Sequence, residues 1–406
     1  MNLEFSPADN AFRQEVRRFL KDHLPRDMAA RTYAGFHPPL KKDLAEWNRI
    51  LFEKGWAAPH WPVEHGGTGW STLQQHIFEE ECHLAYAPDL SWQGLRLLAP
   101  VLYTYGSEKQ KGQHLPPILR GDVFWAQGFS EPNAGSDLVS LKTKAVRDGD
   151  NYIVNGQKTW SSEGHYAEWG FFLVRTAPLE KPQRGISFLL IDLRTPGVTV
   201  RPIIMINGAH YVNEIFLDNV VVPAENLVGS EGKGWSYTKF LLEHERASSA
   251  FIHFSKRELQ RAKQIAAIEL LDGTPLCQRP EFARRIAAVE MDLMSLEWSV
   301  LRLLANEKNP YDATAVASAL KIRGSELQQR VTELQTDLIA ERSLRELRAS
   351  DTPMEGETES SCVYDSRWPS YVAGRMSTTM HTRSVTIYGG SKEIQKNIIA
   401  KLAFGL

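Results

Sequence analysis

The side chains best suited to chemistry in this 406-residue chain gather in three stretches. The first runs from Gln127 to Ser162 and opens with the loop Ser130-Glu131-Pro132-Asn133-Ala134-Gly135-Ser136-Asp137. Apolar and polar residues then alternate through Tyr152-Ile153-Val154, and Asn155-Gly156 separates them from Gln157-Lys158-Thr159-Trp160. Asn-Gly between two such runs predicts a β-hairpin, because both central residues of that turn need positive φ. The hairpin would end by presenting Trp160, Ser161 and Ser162 near a loop of small residues. Small residues let a flat ligand approach the backbone, hydroxyls and main-chain N–H groups bond its polar edge, and an indole stacks on its face. That chemistry suits a flavin. The same local pattern also describes a surface hairpin with a half-buried tryptophan.

The second stretch is Leu242-Glu243-His244-Glu245-Arg246, which follows Gly232-Lys233-Gly234-Trp235. A carboxylate there acts as a base if substrate entry strips its water and raises its pKa. Read locally, it is a charge on a solvated helix face. Glu243 and Glu245 stand about 200° apart around a helix and so face different ways. The third stretch, from Thr386 to Ala400, reads TIYGGSKEIQKNIIA. The histidines, His60, His65 and His244 among them, show no paired metal-ligand spacing, and no phosphate-binding loop of the Walker kind occurs.

Helices and strands must hold these stretches in place. Ser6-Pro7-Ala8-Asp9 has the form of a capping box, and Phe12, Val16, Phe19 and Leu20 then fall on one helical face. Leu40, Leu44, Trp47 and Leu51 repeat the pattern before Gly55, and Ser71 and Ser107 are placed to cap further helices. From about residue 123 to 223 the period becomes two, with strands expected at Gly170–Thr176, Ile186–Leu193, Val198–Ile203 and Asn213–Val222. Helical periodicity then returns through Phe240 and Leu241, through Ile286 to Val300, and through Leu320 to Leu338. Ser350–Cys362 is polar and acidic, an expected exposed loop. The fold class is therefore α+β, in the order helical, β, helical.

Composition narrows the function. Hydrophobic residues at 42% and charged residues at 24% describe a soluble globular protein. A net charge of −2 gives no electrostatic case for nucleic acid or an acidic membrane surface. No apolar run is long enough to span a bilayer, and Met1–Phe5 lacks the basic start of a signal peptide. Cys82, Cys277 and Cys362 form no disulfide framework. The expectation is a cytoplasmic, multi-domain, enzyme-sized protein without a metal site.

Taken together and in order, SEPNAGSD, QKTWSS and TIYGGSKEIQKNIIA resemble the acyl-CoA dehydrogenase family. The resemblance implies a helical domain over 1–122, a β-barrel or sandwich over 123–233 and a helical bundle over 234–406. It implies FAD as cofactor, an acyl-CoA thioester as substrate and an electron-transfer flavoprotein as electron acceptor. It also implies a tetramer, either a homo-oligomer or a heterotetramer with a homologous subunit. Removing two hydrogens across Cα–Cβ of a thioester requires a base, donors at the carbonyl where enolate charge develops, and a hydride acceptor that only the flavin supplies.

Many family members carry the base in a Tyr-Glu-Gly-Thr loop; here the loop is Tyr388-Gly389-Gly390-Ser391. Gly389 brings no carboxylate but keeps the N–H that the family uses at the thioester carbonyl. The family's second base position, immediately before an arginine on a long helix, corresponds to Glu245, followed by Arg246. By resemblance, Trp160 flanks the flavin ring and Ser162 bonds it, while Ser130, Gln127, Phe129, Gly135 and Ser136 hold its edge. Ser391 and Glu393 match positions near the adenosine side, and Ser136, Arg246, Tyr388 and Gly389 are implied at the substrate. The family's Arg-x-Gln-Phe-Gly and Gly-Gly-x-Gly-aromatic segments are missing. The TIYGGS ending resembles a subgroup acting on dicarboxylic or steroid-derived thioesters, some in mixed tetramers.

Overall fold

The computed structural model describes residues 5–35, 39–177, 182–244, 250–305, 312–344 and 369–406. It opens with helices α1 (Pro7–His23), α2 (Arg26–Ala34), α3 (Lys41–Lys54) and α4 (Thr72–Leu84). Ser6 caps α1 as expected, its hydroxyl accepting from Asp9 N at 3.1 Å while the Asp9 carboxylate accepts from Ser6 N at 3.2 Å. Ser71 and Ser107 form the same reciprocal box with Gln74 and Gln110. Each such cap contributes about 1 kcal/mol to its helix.

One helical stretch is irregular. The stretch 91–105 divides into a π-helical turn, Gln93–Leu98, and α5 (Ala99–Tyr105). Pro100 has no N–H to give the carbonyl four residues back, and the Ala99 N–H reaches one residue further, to Gly94. Helix α6 (Glu108–Arg120) completes this helical layer.

Strands β1 (Trp125–Gly128), β2 (Lys144–Asp148), β3 (Asn151–Ser162), β4 (Trp169–Arg175), β5 (Ile186–Asp192), β6 (Val198–Ile204) and β7 (His210–Pro223) form one seven-stranded sheet. Its order is β1-β4-β2-β3-β7-β6, with β5 on β4. In β4 and β5 both faces are apolar, so alternation sends residues into two cores. Phe171, Leu173, Phe188 and Leu190 pack on the helices, while Phe172, Val174, Leu189 and Ile191 fill the curl of the sheet.

The hairpin expected at Asn155-Gly156 is not there. β2 pairs antiparallel with β3 from Lys144↔Asn155 to Asp148↔Asn151, so the chain turns at Gly149-Asp150. Asn155-Gly156 continues the strand and makes a bulge against β7, between the Val154 and Gly156 pairings. Asn155 is held there by Asn219, whose N–H reaches the Asn155 amide oxygen at 2.8 Å. A Cβ on Gly156 would lie 2.4 Å from Thr143 Oγ1, so the glycine serves close approach rather than a turn.

Helices α7 (Gly234–His244), α8 (Ile252–Ile268), α9 (Pro280–Leu304), α10 (Ala313–Ile339), α11 (Arg375–His381) and α12 (Lys392–Phe404) follow. Ile286, Val289, Leu293, Leu296 and Val300 of α9 meet Leu320, Leu327, Val331, Leu334 and Leu338 of α10 in a separate core, as their spacing predicts. Gly324 lets α10 lie directly on the chain entering α8, where a Cβ would stand 2.2 Å from the Ala250 carbonyl oxygen. The two helical layers are joined by buried charge. Glu80 of α4 receives Arg13 of α1 at 2.5 Å and also pairs with Lys256 of α8, which reaches Glu297 of α9 at 2.6 Å. No helix among the described residues is long and apolar enough to cross a membrane. The expected loop Ser350–Cys362 lies outside the described residues.

Candidate active site

The loop Ser130–Asp137 is built on a buried ion pair. Glu131 and Ala134 exchange both backbone hydrogen bonds at 3.0 Å, closing a tight turn. The Glu131 carboxylate accepts from Lys142 N at 2.7 Å, Thr143 N at 2.8 Å and Lys158 Nζ at 2.9 Å. Lys158, fully buried on β3, also donates to the Phe129 carbonyl at 3.1 Å. Burial pushes the Glu131 carboxyl up, but the Lys158 ammonium and the backbone donors outweigh it and hold it below the ordinary range. Thr159 N then bonds Ser130 O at 2.9 Å, which ties the loop to the strand. The motif reading gave Glu131 and Lys158 no role. The available signal was a lysine at an inward strand position, which demands a buried partner.

Beyond Lys158 a second bulge interrupts the pairing with β7 until Ser161. Trp160 there adopts φ +60°, and its indole is turned outward, 63% exposed. Ser161, expected beside it at the surface, is instead fully buried, its hydroxyl finding no partner among the described residues. Ser162 is half-buried. Phe129 points into the core, edge-on to Phe171 at 5.6 Å, so only its main chain is available to a ligand. Gln127 lies half-buried in β1, and Gly135 and Ser136 are exposed, with open space where a Gly135 Cβ would stand.

The C-terminal loop approaches the end of β3 through Tyr211 of β7. Burial raises the Tyr211 phenol, the neighbouring Glu163 carboxyl and Tyr388 raise it further, and a hydrogen bond with Ser162 opposes them. Ser162, Tyr211 and Tyr388 are thus neighbours. Glu163, at φ +57° and 6% exposed, receives the Ser91 hydroxyl at 2.6 Å and ties this corner to the N-terminal helices. Ile387 and Tyr388 are exposed, and Gly389 and Gly390 both have positive φ, +63° and +88°. Lys321 of α10, 4% exposed, donates to the carbonyls of Val385, Tyr388 and Gly390 at 2.9, 2.9 and 3.0 Å. The sequence reading missed both Lys321 and Tyr211, which carry no local motif.

Ser391 and Glu393 have roles within their own helix. Ser391 caps α12, and the Glu393 carboxyl is drawn down first by its own backbone N–H and then by Ser391, as in any helix first turn. Glu245 and Arg246 lie outside the described residues, between the end of α7 and the start of α8. Among the described residues no cluster of His, Cys, Asp or Glu is arranged to hold a metal ion.

The residues present fit a flavin. An indole displayed on strained backbone, a half-buried hydroxyl beside it and an open small-residue loop would stack on a flat ring and bond its polar edge. The fold and this corner define an α+β protein built to hold a flat cofactor such as a flavin. The acyl-CoA dehydrogenase N-terminal, middle and C-terminal domains match residues 6–122, 126–220 and 232–404. Acyl-CoA dehydrogenase IpdE1 of Mycobacterium tuberculosis is 35% identical over 410 residues, covering 97% of each chain. The crystal structure of the ChsE4-ChsE5 complex from Mycobacterium tuberculosis superposes with a TM-score of 0.82 at 30% identity, covering 100% of this chain and 99% of that one. The Tcur3481-Tcur3483 steroid ACAD gives 0.82 at 26% identity, with the same coverage. The chain belongs to the acyl-CoA dehydrogenase family, and its activity is FAD-dependent acyl-CoA dehydrogenation.

Proposed function

We propose that Glu245 removes the α-proton of the acyl thioester while the Gly389 N–H donates to the thioester carbonyl. The product is the trans-2-enoyl-CoA. FAD, when bound, supplies the acceptor for the β-hydride. The observation that carries this assignment is glycine at 389, since a loop without a carboxylate requires a base elsewhere and Glu245 precedes Arg246 as a helix base would. Trp160, Ser162, Ser130 and the main chain of Gln127, Phe129 and Gly135 would position the ring, with Ser391 and Glu393 towards the adenosine. Ser136, Arg246 and Tyr388 would meet the substrate. The domain limits are read as 1–122, 123–233 and 234–406, which the succession of helices, sheet and helices supports.

The absence of a side chain at Gly389 leaves room beside the reacting carbons, which supports a branched or ring-bearing acyl group. The likeness to a steroid ACAD and to a two-component complex supports the same substrate class and assembly with a homologous subunit. Electron transfer to an electron-transfer flavoprotein and a cytoplasmic location complete the reading. Anaerobic addition of a panel of acyl-CoA thioesters should bleach the oxidised flavin band of the wild type. Glu245→Gln should keep its flavin and lose the bleaching. Bleaching that persists in Glu245→Gln would assign the base to another residue, and preference for short straight chains would remove the substrate assignment.

A further inference from the structure

We propose that Lys321 is the positioning residue of the carbonyl-binding site, aiming and strengthening the Gly389 N–H. This rests on the role given to Gly389 above. In a trans peptide the C=O and the following N–H point in opposite directions. Lys321 draws the Tyr388 carbonyl towards α10 at 2.9 Å, which turns the Gly389 N–H away from α10. Its bonds to Val385 and Gly390 anchor the loop on either side, and Gln395 Nε2 holds the Gly389 carbonyl at 3.2 Å. Two successive residues with positive φ allow the chain to make these reversals, which explains glycine at both 389 and 390. Among the described residues nothing accepts from the Gly389 N–H.

Charge adds to direction. An ammonium bonded to the Tyr388 oxygen polarises the Tyr388–Gly389 amide, and hydrogen bonds in such a chain reinforce one another in a site of low dielectric. The Gly389 N–H is therefore a stronger donor to developing enolate charge than an isolated amide. Lys321 acts through the loop carbonyls rather than on substrate or flavin directly.

The test separates this role from that of a clip. A 3-thiaacyl-CoA has an acidic α-proton but cannot lose a β-hydride, so its enolate accumulates against the oxidised flavin as a long-wavelength absorbance band. The apparent pKa for that ionisation would be measured in the wild-type holoenzyme and in Lys321→Met, Lys321→Gln and Lys321→Arg. Lys321→Met and Lys321→Gln should raise it by about one unit or more, a tenfold loss of enolate stabilisation, with the ligand Kd within about threefold. Lys321→Arg should restore part of the shift. Unchanged pKa values in the neutral variants, or a weakened Kd alone, would overturn the proposal and leave Lys321 a clip. Loss of fold or flavin in all three variants would overturn it likewise. A wild type that binds the analogue but gives no band at any pH would overturn the assigned chemistry itself.

Discussion

Gly389 sits at φ +63° with open space where a Cβ would project, so two effects of substitution can be told apart. Gly389→Ala should cost about 1 kcal/mol of backbone strain and no packing. Gly389→Glu meets the same strain but places a carboxylate where related loops carry their base. In a Glu245→Gln background it should restore part of the flavin bleaching, and no recovery would show that this loop cannot present a base. Trp160 offers the converse test. Its indole is 63% exposed and its backbone is left-handed, so Trp160→Gly should leave the apoprotein as stable or up to about 1 kcal/mol more stable. The same variant should bind FAD more weakly, which equilibrium titration would measure alongside the thermal midpoint.

Among the elements, β3 carries the most. Lys158→Met would leave Glu131 buried without its ammonium, at a cost of about 3–5 kcal/mol. Thermal unfolding should show most of that loss recovered in Lys158→Met with Glu131→Gln, and flavin content should fall with the single variant. The helices were legible in the sequence, because Ser6, Ser71 and Ser107 act through neighbours three residues away. The course of β3 was not. Asn155-Gly156 carries a local turn signal, but Asp148-Gly149 carries the same one seven residues earlier. Only pairing with β7, contributed from far along the chain, decides between them. Lys321 was illegible for the same reason, since its partners lie 64 to 69 residues away. Trp160 and Ser162 were legible as a motif, yet the bulge that buries Ser161 between them was not.

Across the whole molecule, the two helical layers meet through Glu80. Burial pushes its carboxyl up, but Lys256 and Arg13 overcome this and hold it at about 2 against an ordinary 4.5. A depressed carboxyl contributes its stability above the ordinary pKa and loses it as pH falls towards the folded value, here from about 4.5 to about 2. The amount is on the order of 3 kcal/mol. Glu80→Gln should be less stable than wild type at neutral pH, and the difference between the two should shrink across that acid window, while Glu79, Glu131 and Glu258, also held low, give both proteins a common decline. The half-buried His83 and the buried His114, held neutral down to about 4, add a separate decline that begins near pH 6.5. Urea melts of both proteins from pH 7 to pH 3 would resolve the two contributions.

The Glu80 cluster also bears on how the chain is made. Arg13 and Glu80 leave the ribosome early, whereas Lys256 and Glu297 complete their charge balance only after more than half of the remaining chain has been synthesised. At roughly 5–20 residues per second, the nascent N-terminal helices wait on the order of 10–40 s for these partners. Through that interval they carry an unfinished ionic face and need shelter from premature association. Truncations ending before α8 should therefore be held by chaperones, whereas chains extended past α9 should be released.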